Sequence, residues 1–183
     1  INTVTGTVGP PGVVVPGVVP SLDPCPCDAG ELIDIVGITT NGATQNDNDN
    51  PAFATLVDPT IYTNPSIESA ADPLVLPCGR YYISSIAQDS LTIRATGRTV
   101  VFVGADIVVN SLNIEVVDGA EVDLFVAGDV ITQSASRLGD QLHPAAVRTY
   151  IGGNVVFSAN TILGGNVYAP NADISSAVRA APR

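Results

Sequence analysis

The chain has no lysine, methionine or tryptophan and a single histidine among 183 residues. Without lysine, Schiff-base catalysis and Lys-Asn isopeptide cross-links are both excluded. The cations are seven arginines against 18 acids, a net charge of −11. A nucleic-acid partner needs a basic stripe to neutralise phosphates, and so few cations cannot supply one. The acidity reads instead as a solvated, self-repelling surface. No apolar run approaches the roughly 20 residues of a membrane-spanning helix, so no membrane span is expected. His143, in "GDQLHPAAVR", precedes a proline and reads as a turn residue rather than a general base. No G-x-S-x-G elbow accompanies the serines. The chain is expected not to be an enzyme, and no catalytic residue is assigned.

Cysteine is scarce as well. Cys25 and Cys27 lie in "DPCPCDAG" and Cys78 in "LPCGRYY". C-x-C lacks the two-residue spacer of common zinc and redox motifs, and the one histidine is remote in sequence. Cysteines two apart bridge poorly, so Cys78 is expected to pair with one of the other two. Such a bridge would stabilise the fold by about 4 kcal/mol and suits an extracellular or cell-surface location after export. The third thiol is left free or joins subunits. Numbering from Ile1, with methionine absent, fits a processed chain whose export signal is gone.

Three zones and a short tail separate by composition. Residues 1–30 hold six prolines, which forbid a helix and predict an extended arm. Its valines, Val4, Val8, Val13, Val14, Val15, Val18 and Val19, are too apolar for an ordinary linker and should dock on their own domain or on a neighbour. Residues 31–77 read as an irregular β and loop cap: a strand-like "LIDIVGI", a polar loop containing "NDNDN", and a proline-punctuated stretch with one helical turn near 66–71. Residues 78–176 are short β-branched runs separated by Gly, Asn and Asp, and 177–183 form the tail.

Within the third zone one phrase recurs: "FVGADIVVNS" from Phe102, "FVAGDVITQS" from Phe125, "YIGGNVVFSA" from Tyr150 and "YAPNADISS" from Tyr168, with an earlier echo at Tyr82. The spacings are 23, 25 and 18 residues. Recurrence near 20 residues is the signature of a solenoid in which each repeat is one coil. The expected fold is all-β, a right-handed parallel β-helix (β-solenoid), with an antiparallel sandwich as the rival. Phe102, Phe125, Tyr150 and Tyr168 should form one ladder and Ile107, Val130, Val155 and Ile174 another, with aromatic and aliphatic members inside. Gly104, Gly128, Gly152 and Gly153 should permit the corners, where Asp106, Asp129, Asn154 and Asp173 bond turn backbone.

At "GRTVVFVGADIVV", "GAEVDLFVAGDV" and above all "TILGGNVYAPNADI" the chain resembles a family of exported bacterial proteins, frequent in myxobacteria, whose C-terminal domain is a β-solenoid and occurs in pilus-assembly-like proteins. "CPCDAGELIDI", "NDNDN" and "LPCGRYY" share the likeness, which covers most of residues 25–174. The resemblance implies a surface or extracellular location and a structural role. Where such proteins usually continue with a further coil after "YAPNA", this chain turns to "SSAVRAAPR", which suggests trimming or a coil supplied by another molecule.

Two acidic features merit weighing. Glu121 and Asp123 are two apart, so they point the same way, with Glu115 on a neighbouring run. β-Helix polysaccharide-cleaving enzymes use such acids. The plainer reading is a solvent stripe opposite Val122 and Leu124, with no arginine cluster nearby. "NDNDN" offers Asp47 and Asp49, with Asp58, as a calcium site, the only cofactor considered, in competition with a solvated turn. The expected function is a self-assembling extracellular subunit of a filament or surface layer whose partners are copies of itself. In that reading a solenoid leaves open strand edges at its tips, and the unpaired arm at the upstream end adds a strand to a neighbouring subunit, which buries both the arm and the open downstream edge. The alternative is a surface adhesin or an ice- or carbohydrate-binding module, although Thr92, Thr99, Thr132 and Thr161 are scattered for an ice-binding array.

Overall fold

The computed structural model describes residues 29–49, 73–158 and 160–177. The arm valines, Cys25, Cys27, Asp58 and the helical turn expected at 66–71 lie outside the described residues. Two compact units divide the chain, Ile1–Leu32 and Ile33–Arg183. Of the first, a short 3-10 turn at Ala29–Glu31 is described.

The second unit holds helix α1 (Ile35–Thr44) and, among the described residues, thirteen strands. In chain order these are β1 (Leu74–Leu76), β2 (Gly79–Ile83), β3 (Ile86–Ala95), β4 (Arg98–Val103), β5 (Ile107–Val116), β6 (Glu121–Val126), β7 (Val130–Thr132), β8 (Arg137–Gly139), β9 (Val147–Ile151), β10 (Val155–Ser158), β11 (Ile162–Gly164), β12 (Asn166–Tyr168) and β13 (Ile174–Ala177). Every described strand pair is parallel, and the chain winds as a β-solenoid of about four turns. The antiparallel sandwich is ruled out.

Three columns of stacked strands result. Ile86, Ile107, Val130, Val155 and Ile174 align in the first. Leu74, Ile93, Ile114, Leu138 and Leu163 align in the second. The third, a five-stranded sheet, aligns Tyr82, Phe102, Phe125, Tyr150 and Tyr168. The long strand β5 serves two columns because its alternation slips: Ile107 and Val109, then Leu112 and Ile114, face inward, leaving Asn110 and Ser111 consecutive on the outside. A break in period 2 bends a strand. The bend is laddered by Asn110 Nδ2 donating to Asp89 Oδ1 (3.2 Å) and Ser111 Oγ to Ser90 Oγ (2.9 Å).

The interior is aliphatic. Leu76, Ile83, Ile93, Ile107, Leu112, Leu124 and Ile151 are fully buried, and each such side chain contributes about 1.5–3 kcal/mol by leaving water. One corner is tied by an Asx ladder. Asp106 Oδ1 accepts from the backbone N–H of Asp129 (2.8 Å), Asp129 Oδ1 from that of Asn154 (2.6 Å), and Asn154 Oδ1 from that of Asp173 (3.3 Å). These side chains thus bond the next coil. Close approach explains the neighbouring glycines: a Cβ on Gly128 would lie 2.0 Å from Asp106 Oδ1, and one on Gly153 2.2 Å from Asp129 Oδ1.

"LIDIVGI", expected as a strand, is largely helix α1. Asp34 caps it, its Oδ1 accepting from Gly37 N–H (2.8 Å), and the i, i+4, i+7 set Ile35, Thr39 and Gly42 is buried on one face. Thr39 Oγ1 donates to the Ile35 carbonyl, so the buried hydroxyl is satisfied. A Cβ on Gly42 would lie 2.4 Å from the Phe102 ring, which makes glycine the residue that lets the helix lie flat on the third column.

Candidate functional site

Four surface features could carry function: the aromatic ladder, the two tips of the solenoid, the acidic stripe and a cleft at one corner. The ladder stacks as its spacing predicts, with ring centroids 5.7 Å apart for Phe102 and Phe125, 4.5 Å for Phe125 and Tyr150, and 6.2 Å for Tyr150 and Tyr168. The aromatic members face outward, however, contrary to the interior position expected. The inward positions of the third column belong to Val101, Val103, Leu124, Val126 and Ile151. Outward aromatics need a cover, and α1 provides it: Gly42 meets Phe102, while the Tyr168 hydroxyl accepts from Ile33 N–H (3.2 Å) at the other end. Near-parallel rings at 7° and 27° shield one another's faces, so the ladder presents no open platform to a sugar.

At the upstream tip the third column is occupied where open strand backbone was expected, while β1 has no described strand beyond it. Asp47 N–H donates to the Arg80 carbonyl (2.7 Å) and Asp47 Oδ2 accepts from Arg80 N–H (2.8 Å). Asn48 Nδ2 donates to the Tyr82 carbonyl (2.7 Å) while its Oδ1 accepts from Tyr82 N–H (3.0 Å). A primary amide supplies one donor and one acceptor in the spacing of a strand, so "NDNDN" caps β2 as a surrogate edge. Asp47 is spent on this contact and Asp49 is exposed. No cluster of three or more His, Cys, Asp or Glu positioned to hold a metal exists among the described residues. Leu76, Tyr81, Ile83 and Leu91 beneath this tip are all buried. Burial, with the charges of Asp47 and Cys78, pushes the Tyr81 phenol up to about 12.

The downstream tip differs. Among the described residues no strand lies beyond β11, β12 or β13. Leu163 shares its column with the buried Ile93, Ile114 and Leu138, yet it is 48% exposed.

Glu121 and Asp123 lie opposite buried Val122 and Leu124, but Asp123 is itself buried, so the pair is not the solvent stripe expected. Two arginines that the sequence reading had not placed there flank them from neighbouring coils. Arg98 reaches Glu121 Oε2 (2.5 Å) and Asp123 Oδ2 (2.7 Å), and Arg148 reaches Asp123 Oδ1 (2.5 Å) and Glu121 Oε2 (2.7 Å). The coil period brings residues 23 to 27 apart into register. The Arg148 hydrogen bond, with the charges of Arg98 and Arg148, holds the Glu121 carboxyl below its ordinary 4.5. A general acid needs the opposite shift, so Glu121 is not tuned as one, and the four side chains form an ion-pair lattice. Glu115 lies in the second column, paired with Arg94 (2.6 Å).

Beside this lattice, the 117–120 turn and the 140–146 loop enclose a cleft of about 490 Å³. His143 stands on its rim, its Nδ1 3.3 Å from Asp140 Oδ2. Asp140 Oδ1 also accepts from Leu142 N–H (3.0 Å), and that bond, then the one to His143, holds its carboxyl below the ordinary 3.8. No serine, threonine or cysteine lines the cleft. Of the threonines weighed for an ice-binding array, Thr99 and Thr132 are buried. Cys78 is exposed, and both its expected partners lie outside the described residues. No described helix is long and apolar enough to cross a membrane.

Residues 37–181 match a domain of unknown function (DUF7305). That match spans most of the chain, and the protein belongs to this family. Neither curated proteins nor solved structures give a match.

Proposed function

We propose that this chain is an exported structural subunit that assembles with copies of itself at the bacterial surface or outside the cell, each N-terminal arm adding a strand to the downstream tip of a neighbour. The asymmetry of the two tips carries the reading. Upstream, β2 is already bonded by Asp47 and Asn48. Downstream, an interior-column leucine meets solvent at the last described strands. Exposed parallel edges recruit another chain, and a valine-rich segment barred from helix by prolines is suited to strand addition. A contact between unlike surfaces propagates into a filament unless it closes as a ring. The likeness to exported myxobacterial proteins and to pilus-assembly-like domains points the same way. Negative-stain microscopy of the full chain and of a variant lacking residues 1–24 tests the proposal: fibres from the first and discrete particles from the second are expected. Fibres that persist after the deletion, or a full chain that stays discrete at every concentration, contradict it.

A further inference from the structure

The corner between the second and third columns carries more chain than the solenoid needs. The turn takes two residues at 77–78 and at 96–97 and one at Gly165, but four at 117–120 and seven at 140–146. The two long corners belong to successive coils and wall the cleft between them. Surplus loop on a rigid scaffold is where binding residues concentrate.

The cleft is preformed. Arg148 NH1 donates to the Ala145 carbonyl (2.9 Å), His143 N–H to the Asp140 carbonyl (3.1 Å) and Ala146 N–H to the His143 carbonyl (3.0 Å). Ala120 N–H closes the facing turn on the Val117 carbonyl (2.9 Å), with Gly119 at φ +77°. The volume lies in the range of small-molecule sites.

Its lining divides by chemistry. Val116, Val117, Leu142, Pro144 and Ala145 form an apolar wall. Against them stand the carboxylates of Asp118, Glu121 and Asp140, and a single guanidinium, Arg148, already bonded to Asp123, Glu121 and the Ala145 carbonyl. Asp118 has no ion pair or hydrogen bond among the described residues. An anion would meet the unpaired carboxylate of Asp118 beside Glu121, paired with Arg98 and Arg148, and Asp140, paired with Arg137 (3.8 Å) and His143; a sugar would find no Phe, Tyr or Trp ring in the lining, and the acids do not converge on a metal position.

We infer that the cleft binds a small amphipathic organic cation, an ammonium group on a short hydrocarbon body. Asp118 and Asp140 take the ammonium, and Val117, Leu142 and Pro144 take the hydrocarbon. This site is independent of the proposed assembly.

Hexylammonium is the probe, titrated into the isotope-labelled full chain while backbone amide resonances are followed, with hexanol and hexanoate as controls. Saturable shifts at Gly119, Leu142 and Ala145 are expected, with hexanol about ninefold weaker, since the exposed Asp118 and the half-buried Asp140 contribute about threefold each. Asp118→Asn, at an exposed turn, should weaken the ammonium about threefold, and Ala145→Phe, which fills the cleft, should abolish the shifts. Shifts that fail to saturate, equal response to hexanol, or indifference to both substitutions would overturn the inference.

Discussion

Gly153 and Thr149 show how single atoms matter when one coil rests directly on the next. A Cβ on Gly153 would stand 2.2 Å from Asp129 Oδ1 and 2.6 Å from the Gly128 carbonyl carbon, so Gly153→Ala must push the Asx ladder apart. Urea unfolding should show a loss of about 1–3 kcal/mol. Thr149 works in the other direction. Its buried Oγ1 has no hydrogen-bond partner among the described residues, and Thr149→Val removes an unsatisfied group while keeping the shape. A gain of about 1 kcal/mol is expected, read as a melting point about 2–4 °C higher; a lower melting point would show that the hydroxyl is bonded. Titration also acts at this scale. Glu121 and Asp140 have folded carboxyl values below 4.5 and 3.8, so the unfolded chain takes up their protons first as pH falls. Their stabilisation is present above those ordinary values and is lost as pH drops through the lower folded ones. Glu121→Gln should flatten the melting-point profile below pH 4.5, and an unchanged slope would remove the ion-pair lattice from the account.

At the scale of elements, the strands were legible because their message is redundant: the same aliphatic positions recur at Ile107, Val130 and Val155, and register follows from recurrence. Which face each residue takes was less legible. Val101, Phe102 and Val103 are consecutive and apolar, so alternation alone cannot say whether the aromatic points in or out. The answer depends on α1, and α1 was hidden because its first residues, Ile35 and Val36, read as strand while its buried face needs Thr39 and Gly42 to be recognised. The Arg98 and Arg148 lattice was missed for a related reason: in sequence its bonded partners lie 23 to 27 residues apart, and only the coil period makes them neighbours. Asp34→Ala, which removes the cap of α1, should cost about 1 kcal/mol and increase exposure of Phe102. Asn48→Ala should leave the β2 backbone groups of Tyr82 without their partners and cost about 1–3 kcal/mol. Selective acceleration of the Tyr82 amide in hydrogen exchange would mark the loss as one of edge capping.

For the whole molecule, the solenoid has unlike ends. Upstream, β2 is capped by Asp47 and Asn48 above buried Leu76, Tyr81 and Leu91, and downstream the interior-column Leu163 is exposed. Composition had suggested two open tips, because the side-chain amide of Asn48 cannot be seen as a substitute strand until the coil that it caps is in place. Hydrogen exchange across both tips, measured on dilute and then on concentrated protein, is the most direct test. The account predicts that the Arg80 and Tyr82 amides exchange slowly at both concentrations. The amides of β12 and β13 should exchange quickly when dilute and become protected when concentrated. Fast exchange at Arg80 and Tyr82, or downstream strands that are protected equally at every concentration, would contradict it.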